Sequence, residues 1–175
     1  WLEDIHGSKA LDWVKQENAR TDAELKDEAF TALQERILEV LNSEEKIPGP
    51  TQRGNYIYNF WQDAKNPRGL WRRTTVASYA TDTPEWQTLL DVDALAAEEG
   101  IEWVYSGAAV HRPADERAIV ELSPDGGDAT QLRELDIAAG TFVPEADGAF
   151  REETAKTWFS WFDADTLLVA TPTDE

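Results

Sequence analysis

The amino-acid sequence predicts a mainly β fold: an N-terminal arm of two helices over residues 1–46, then about two and a half antiparallel blades of a β-propeller over residues 47–175. Three observations predict this fold. Apolar residues recur at helical spacing in the first 42 residues, and the period changes to two after residue 47. Groups of short strands then recur every ~40 to 50 residues, a spacing typical of propeller blades.

The first predicted helix begins after Gly7, with Ser8 as its N-cap. Its apolar residues are followed by a polar run over residues 15–20. This pattern is typical of an amphipathic helix with one face against a core. The apolar residues at helical spacing are Leu11, Trp13 and Val14.

A second helix is predicted over about residues 27–41. Thr21 and Glu24 have the spacing of a capping box, which indicates a helix start nearby. A continuous apolar stripe then predicts packing against other parts of the same protein. The stripe consists of Phe30, Leu33, Ile37, Val40 and Leu41.

The first blade unit is predicted over residues 47–100. Two prolines around a glycine at residues 48–50 end the helical pattern. Asn66, Pro67, Arg68 and Gly69 fit a type I turn, which makes the flanking segments a hairpin. The predicted elements are strands over residues 56–61, 70–76 and 86–90, and a short helix or turn over residues 95–100.

The pattern restarts twice, so that Tyr56, Trp103 and Trp158 each lie in the aromatic strand that opens a unit. The second unit is predicted over residues 101–146 and an incomplete third over residues 147–175. A sandwich of short strands is the alternative architecture. The predicted strands cover residues 102–110, 117–122, 130–136 and 140–143 in the second unit, and 158–162 and 166–170 in the third.

The blade count predicts a fragment of a longer protein. A closed propeller needs at least ~4 blades, and this sequence supplies two and the first hairpin of a third. The sequence contains no methionine and begins at Trp1, so we also expect the true N-terminus, with any signal peptide, to be missing.

Charge and composition exclude several classes of function. Thirty-five acidic residues against 16 basic ones give a net charge of −19, which excludes nucleic acid and anionic membrane surfaces as partners. Because the sequence has no cysteine, disulfides, zinc–thiolate sites, iron–sulfur clusters and thiol nucleophiles are excluded. An ordinary acidic cytosolic surface and a salt-adapted protein both fit this balance, and no cofactor is expected.

No metal site is expected. His6 and His111 are far apart in the sequence and share no motif, which indicates ordinary loop polarity. Three aspartate pairs lie in or near predicted turns, where aspartate accepts hydrogen bonds from backbone N–H groups more often than it binds Ca²⁺. These pairs are Asp91 with Asp93, Asp125 with Asp128, and Asp163 with Asp165.

Arg68, Arg72 and Arg73 form the dense basic cluster of this acidic sequence. Strand alternation places Arg72 and Arg73 on opposite faces, which favours separate pairing with nearby acids over a shared anion pocket. The eight tryptophans are interpreted as packing between blades rather than as a sugar-stacking surface. No motif selects substrate-binding residues or a carboxylate pair for glycoside hydrolysis.

The sequence opens with WLED at residues 1–4, followed by Ala10, Trp13, Val14, Glu17 and Asn18. This opening resembles that of the prolyl oligopeptidase family of serine peptidases. The later motifs resemble the first propeller blade of its bacterial members. They are YNFWQD at residues 58–63, NPRGLWRRT at residues 66–74 and LLDVDAL at residues 89–95. The resemblance covers residues 1 to about 122, and more weakly the remainder.

The resemblance implies a parent protein with an α/β-hydrolase domain, which carries a Ser, Asp and His triad, and a seven-bladed propeller that covers the active site. It implies cleavage of short peptides after proline, with the propeller excluding folded proteins and the helical arm belonging with the hydrolase domain. This chain has no G-x-S-x-G motif, so the triad is expected beyond Glu175 and the chain alone is expected to be inactive.

Two other functions remain open on the sequence. One is a free-standing, non-catalytic binding module, and the other is a fragment of an oligopeptidase B-like peptidase that prefers basic residues. The expected partners are the C-terminal hydrolase domain of the same protein and short peptide substrates. A cytoplasmic location is expected, with a periplasmic or secreted one as the alternative because the N-terminus is missing.

Overall fold

The computed structural model describes residues 1–172. The chain forms two compact units, residues 1–44 and residues 45–175. Residues 173–175, the end of the predicted third blade unit, lie outside the described residues.

The first unit consists of helices α1 (Ser8–Leu25) and α2 (Glu28–Asn42). Both helices were predicted, but the capping box was misplaced. Thr21 lies inside α1, because residues 21–25 contain no helix breaker and the helix continues through them. The cap of α2 is Asp27, whose side chain accepts a hydrogen bond from the Phe30 backbone N at 2.8 Å. Gly7, not Ser8, is the N-cap residue of α1.

The apolar stripe of α2 is exposed within residues 1–172, and α2 contains no buried residue. In α1 the buried residue is Ala10. A surface of this kind indicates contact with another part of the protein or with a partner. The exposed large apolar side chains of α2 include Phe30, Leu33, Ile37, Leu38 and Val40.

The second unit begins with a four-stranded antiparallel sheet in the order β1-β2-β3-β4. Its strands are β1 (Thr51–Arg53), β2 (Tyr56–Trp61), β3 (Leu70–Thr75) and β4 (Gln87–Asp91). Two helices accompany the sheet, α3 (Val76–Tyr79) and α4 (Val92–Glu99). The predicted β2–β3 hairpin is confirmed, and α4 ends at Gly100 in the left-handed conformation, φ 67°. Strand β1 and helix α3 were not predicted.

A second sheet contains five strands, β5 to β9, and a third contains the hairpin of β10 and β11. The strands are β5 (Trp103–Val110), β6 (Arg117–Pro124), β7 (Thr130–Asp136), β8 (Thr141–Phe142), β9 (Arg151–Ala155), β10 (Trp158–Asp163) and β11 (Thr166–Ala170).

Strand β9 differs from the prediction, which placed residues 147–175 in the third unit. It pairs with β7 in the second sheet. The reason is the shortness of β8, which pairs only with Leu135 and Asp136 of β7. The edge of β7 from Thr130 to Arg133 is therefore free to pair with β9, which removes an open strand edge.

The main core lies between the first and second sheets. Tyr58, Trp71 and Leu90 contribute from the first sheet. Trp103 and Val120 are among the residues that face them from the second. Each fully buried large apolar side chain stabilises the fold by ~1.5 to 3 kcal/mol relative to exposure. The third hairpin packs on the opposite face of the second sheet, so the sheets are stacked in succession as propeller blades are, and not in the two layers of a sandwich. Within residues 1–172 no helix has the length and apolar character needed to cross a bilayer.

Candidate functional site

The two histidines are not brought into a catalytic or metal-binding arrangement. His6 is an exposed turn residue ahead of α1. His111 ends the β5 region and meets the Trp161 ring edge-on, with ring centroids 5.0 Å apart. Within the described part of the chain, no three His, Cys, Asp or Glu side chains are grouped closely enough to hold a metal ion.

The aspartates of these pairs accept hydrogen bonds from backbone amides or pair with lysine, and Asp91 and Asp163 do so within their own turns. Asp91 caps α4 by accepting from the Ala94 backbone N at 2.9 Å. Asp163 accepts from the Asp165 backbone N at 2.9 Å, and this hydrogen bond is the main reason why the pKa of Asp163 lies below its usual value. Asp128 pairs with Lys156 at 3.2 Å. These contacts agree with the interpretation of the pairs as turn residues.

The turn between β2 and β3 is tied to the second sheet through Arg68. Its Nη1 donates to the carbonyl of Trp103 at 3.0 Å, and its guanidinium pairs with Glu102. The backbone N atoms of Arg68 and Gly69 in turn donate to the Asp93 carboxylate at 3.1 to 3.2 Å. This network fixes the first sheet to the start of β5.

Glu99, at the end of α4, is the second link between these sheets. Its Oε2 accepts from the Trp103 indole Nε1 at 2.7 Å, and its Oε1 accepts from Arg133 at 2.8 Å. The Arg133 guanidinium lies 3.9 Å from the centroid of the Phe142 ring. The helix after the first sheet is therefore fixed to the second sheet by a buried indole and a stacked cation.

Trp161 joins the third hairpin to the second sheet. Its indole Nε1 donates to the Ala109 carbonyl at 2.9 Å. Arg117 pairs with the buried Glu134 at 3.0 Å and contacts the Ala164 carbonyl and Asp165 of the hairpin turn. Trp71, Trp103 and Trp161 thus pack at sheet seams, as the sequence predicts, whereas Trp158 is 66% exposed.

Arg72 lies on the face of the first sheet that points away from the second. Its guanidinium is between two indoles, 4.4 Å from the Trp61 centroid and 4.2 Å from the Trp86 centroid, and its Nε donates to Asn59 Oδ1 at 2.9 Å. Burial lowers the pKa of Arg72, and the nearby charge of Asp63 opposes that change.

The two adjacent strand arginines point to opposite faces, as strand alternation predicts. The expected pairing with acids is wrong for both. Arg73 bonds the Gln87 side chain at 2.8 Å and the Tyr58 hydroxyl at 3.3 Å. Amide and aromatic partners replace carboxylates because the strand register places those side chains opposite the arginines.

A pocket opens between the first sheet and β5, with a wall formed by Phe60, Trp71 and Tyr105. The rings of Phe60 and Tyr105 stack with centroids 4.4 Å apart. Burial, followed by the nearby charge of Glu121, raises the pKa of Tyr105. Its hydroxyl therefore stays protonated and can donate a hydrogen bond. Sequence reasoning missed this pocket, because its residues come from separate strands.

Comparison with known proteins covers nearly the whole chain. The family model described as "Prolyl oligopeptidase, N-terminal beta-propeller domain" matches residues 1–174. An uncharacterized peptidase of Sinorhizobium fredii is 40% identical over 171 residues, which cover 97% of this chain and 23% of that protein. An uncharacterized peptidase of Rickettsia prowazekii is 31% identical over 174 residues, covering 96% of this chain and 24% of the relative.

Solved structures give the same result. The chain matches a post-proline cleaving enzyme from Rickettsia typhi with a TM-score of 0.82 and 31% identity, over 95% of this chain and 25% of the enzyme. It matches oligopeptidase B from Leishmania major with a TM-score of 0.71 and 16% identity, over 98% of this chain and 23% of that one. The second match shows the fold alone. The chain thus spans about a quarter of the length of the proteins it resembles.

Proposed function

The chain belongs to the prolyl oligopeptidase family, as part of its N-terminal β-propeller domain, and on this basis we propose that it forms the helical arm and first blades of a serine peptidase that hydrolyses short, proline-containing peptides. The catalytic triad of that enzyme is proposed to lie beyond Glu175. The chain contributes to catalysis indirectly, by limiting which substrates reach the active site.

The observation that carries this proposal is the similarity to the Rickettsia typhi enzyme, which is described as cleaving after proline and is twice as identical to this chain as oligopeptidase B is. The sheet seams support a role as a wall. Glu99 and Arg68 join the first two sheets by charged, part-buried hydrogen bonds, which resist opening better than fully exposed ion pairs.

The proposed domains are a helical arm over residues 1–46 and a partial propeller over residues 47–175. The division of the chain near residue 45 supports the first boundary. Blade units over residues 47–100 and 101–146 are retained, and the pairing of β9 with β7 supports extending the second through Ala155. The exposed apolar stripe of α2 supports docking of the arm on the C-terminal hydrolase domain.

A series of peptides tests the activity. The full-length protein is assayed on two short peptides that differ only by proline or arginine before the scissile bond. We expect the proline peptide to be cleaved with a kcat/KM at least tenfold higher. Preference for arginine would support the oligopeptidase B-like alternative. If neither peptide is cleaved and no serine reacts with a fluorophosphonate, the binding-module alternative is favoured.

A seam variant tests the gating role. Glu99→Ala removes the acceptor for Trp103 and Arg133, whereas Glu98→Ala changes an exposed neighbour on the same helix. We expect Glu99→Ala to raise cleavage of a peptide of about 60 residues several-fold relative to a short one, and Glu98→Ala to leave the ratio unchanged. An unchanged ratio in both variants would contradict the gating role. A cytoplasmic location is also proposed, and cell fractionation tests it against a periplasmic or secreted one.

A further inference from the structure

A second cavity, of about 380 Å³, lies between the first and second sheets beside the turn that joins β1 to β2. One wall consists of residues 53–56, which form that turn, together with Tyr58 and Arg73 of the first sheet. The opposite wall consists of residues 113–116, in the loop between β5 and β6, and Ala138. The cavity therefore joins two sheets that both belong to this chain.

The two arginines of this cavity, Arg53 and Arg73, lie on the face of the first sheet that packs against the second. The strand register places Arg53 opposite Tyr56 and Arg73 opposite Tyr58. Residues directly opposite on neighbouring strands share a face, and Tyr58 belongs to the core between the sheets. Both guanidinium groups are therefore directed towards the second sheet, where they line the cavity.

Arg73 is held in place by neutral partners. Its guanidinium carbon lies 4.3 Å from the Tyr56 ring centroid, and its Nε donates to Gln87 Oε1 at 2.8 Å. Gln87 Nε2 in turn donates to the Ala138 carbonyl of the second sheet at 3.4 Å. A guanidinium that is stacked and bonded in this way keeps its full charge and a fixed orientation, which suits it to receive an anion.

The charges in this cavity are not paired with one another. Among residues 1–172, neither Arg53 nor Arg73 takes part in an ion pair within 4.0 Å, although the sequence has 35 acidic residues against 16 basic ones. The Asp115 carboxylate lines the same cavity, and its Oδ1 is buried without a hydrogen-bond partner in the described part of the chain. Glu116, the other acid that lines the cavity, is exposed.

This arrangement leaves both signs of charge without a partner. A Cβ at Gly54 would lie 3.9 Å from Asp115 Oδ2, so this carboxylate oxygen is beside the same turn that carries Arg53. Buried and partly buried polar groups normally have partners in proteins. The cavity thus lacks an acid for its arginines and a donor for Asp115, and a ligand with a carboxylate and an amino group would supply both.

We propose that this cavity binds a short peptide with free termini, whose C-terminal carboxylate pairs with Arg53 and Arg73 and whose amino group pairs with the Asp115 carboxylate. The volume is at the small end of the ~300 to 1,000 Å³ that is typical of small-molecule sites, which favours a dipeptide or tripeptide. The choice of a peptide over other zwitterions rests on the proposed function, because hydrolysis of peptide bonds releases products with a new carboxylate or a new amino group.

Calorimetric titration of the full-length protein tests the ligand. The protein is first treated with a fluorophosphonate, which blocks the active site of a serine peptidase. The titrants are alanylproline, its C-terminal amide and its N-acetyl derivative. We expect alanylproline to bind at least tenfold more tightly than the amide, and more tightly than the N-acetyl form. Absence of alanylproline binding, or equal binding of the amide, would overturn the proposal.

Three substitutions and a control assign the binding to this cavity. Arg53→Gln and Arg73→Gln should each weaken alanylproline binding at least tenfold and leave the weak binding of the amide unchanged. Arg53 has no ion pair to lose, so its variant should keep the melting temperature of the wild type. The control is Arg112→Gln, which changes an exposed arginine of the same loop outside the cavity lining. An equal loss of binding in the control would contradict the site.

Asp115→Asn tests the second contact. It should abolish the preference for alanylproline over the N-acetyl form, and an unchanged preference would contradict the role of Asp115. Fluorophosphonate labelling separates this proposal from the proposed function. A labelled protein that does not bind alanylproline contradicts only the peptide site, whereas an unlabelled protein that binds it contradicts the peptidase function and supports the site.

Discussion

Replacing Asp63 by asparagine removes one acceptor from the turn between β2 and β3. Asp63 is 8% exposed, and its two carboxylate oxygens accept four hydrogen bonds. The Trp61 indole N–H is the largest cause that lowers the pKa of Asp63 from 3.8 to about 2, against the opposing effect of burial, and the amides of Asn66 and Lys65 add to it. Asparagine can keep the backbone contacts of Oδ1, but it places an NH₂ group against the indole N–H.

The expected loss follows from this pKa. One pKa unit corresponds to ~1.4 kcal/mol, so ionised Asp63 stabilises the folded turn by up to about 2 kcal/mol. Because the folded pKa is the lower one, this stability is fully present above pH 3.8 and is lost as the pH falls towards about 2. We expect hydrogen exchange of residues 63–69 at pH 6 to be faster in Asp63→Asn by a factor of up to about 30.

A double-mutant cycle separates the indole contact from other effects. In a Trp61→Phe background the indole donor is already absent. Asp63→Asn should therefore lower the stability of the turn less than half as much as it does in the wild type. Lys65→Ala is the matched control, because it changes an exposed side chain and keeps the backbone N–H that Asp63 accepts. The reasoning would be refuted if Asp63→Asn lowered turn stability equally in both backgrounds. It would also be refuted if the hydrogen-exchange protection of the wild-type turn did not change between pH 4 and pH 2.

Three further predictions concern stability. Gly69→Ala should lower the free energy of unfolding by about 2 kcal/mol or more, since Gly69 has φ +102° and a Cβ would lie 2.7 Å from Phe60 Cε1. Gly127→Ala is the control and should change the melting temperature little, because open space surrounds Gly127. Glu134→Gln should lower the free energy of unfolding by about 2 kcal/mol, because the 3% exposed carboxylate pairs with Arg117. Urea unfolding measures this change, and a midpoint equal to that of the wild type would contradict the pairing. Raising NaCl from 0.05 to ~1 M should raise the melting temperature, since salt screens the repulsion within a chain of net charge −19, and a fall would count against that account.

Most of the fold could be predicted from local sequence patterns. The change of apolar period separates the helices from the strands, and the Pro67 and Gly69 turn identifies the first hairpin. The capping box at Thr21 failed because capping residues are common inside helices, and only a real break makes them caps. Strand β1 was missed because three polar or charged residues carry no alternating apolar signal.

The side-chain contacts around Arg72 could not be predicted in the same way. Trp61, Arg72 and Trp86 come from separate positions along the chain, and a register shift between Trp71 and Arg72 decides which residue of β4 lies opposite the arginine. Sequence spacing does not reveal such a shift. The family resemblance was recognised from sequence motifs, and the structure shows which side chains are in contact.

The contiguity of each sheet also affects how the protein is made. Residues 51–91 contain every strand of the first sheet, and residues 103–155 contain every strand of the second. Short sequence separations favour rapid pairing, so the first sheet can form on the ribosome before the second has been synthesised. At ~5 to 20 residues per second, its aromatic face then waits roughly 3 to 13 s for the next sheet. On the other face, Arg72 stacks between the Trp61 and Trp86 indoles and keeps a charge there throughout synthesis.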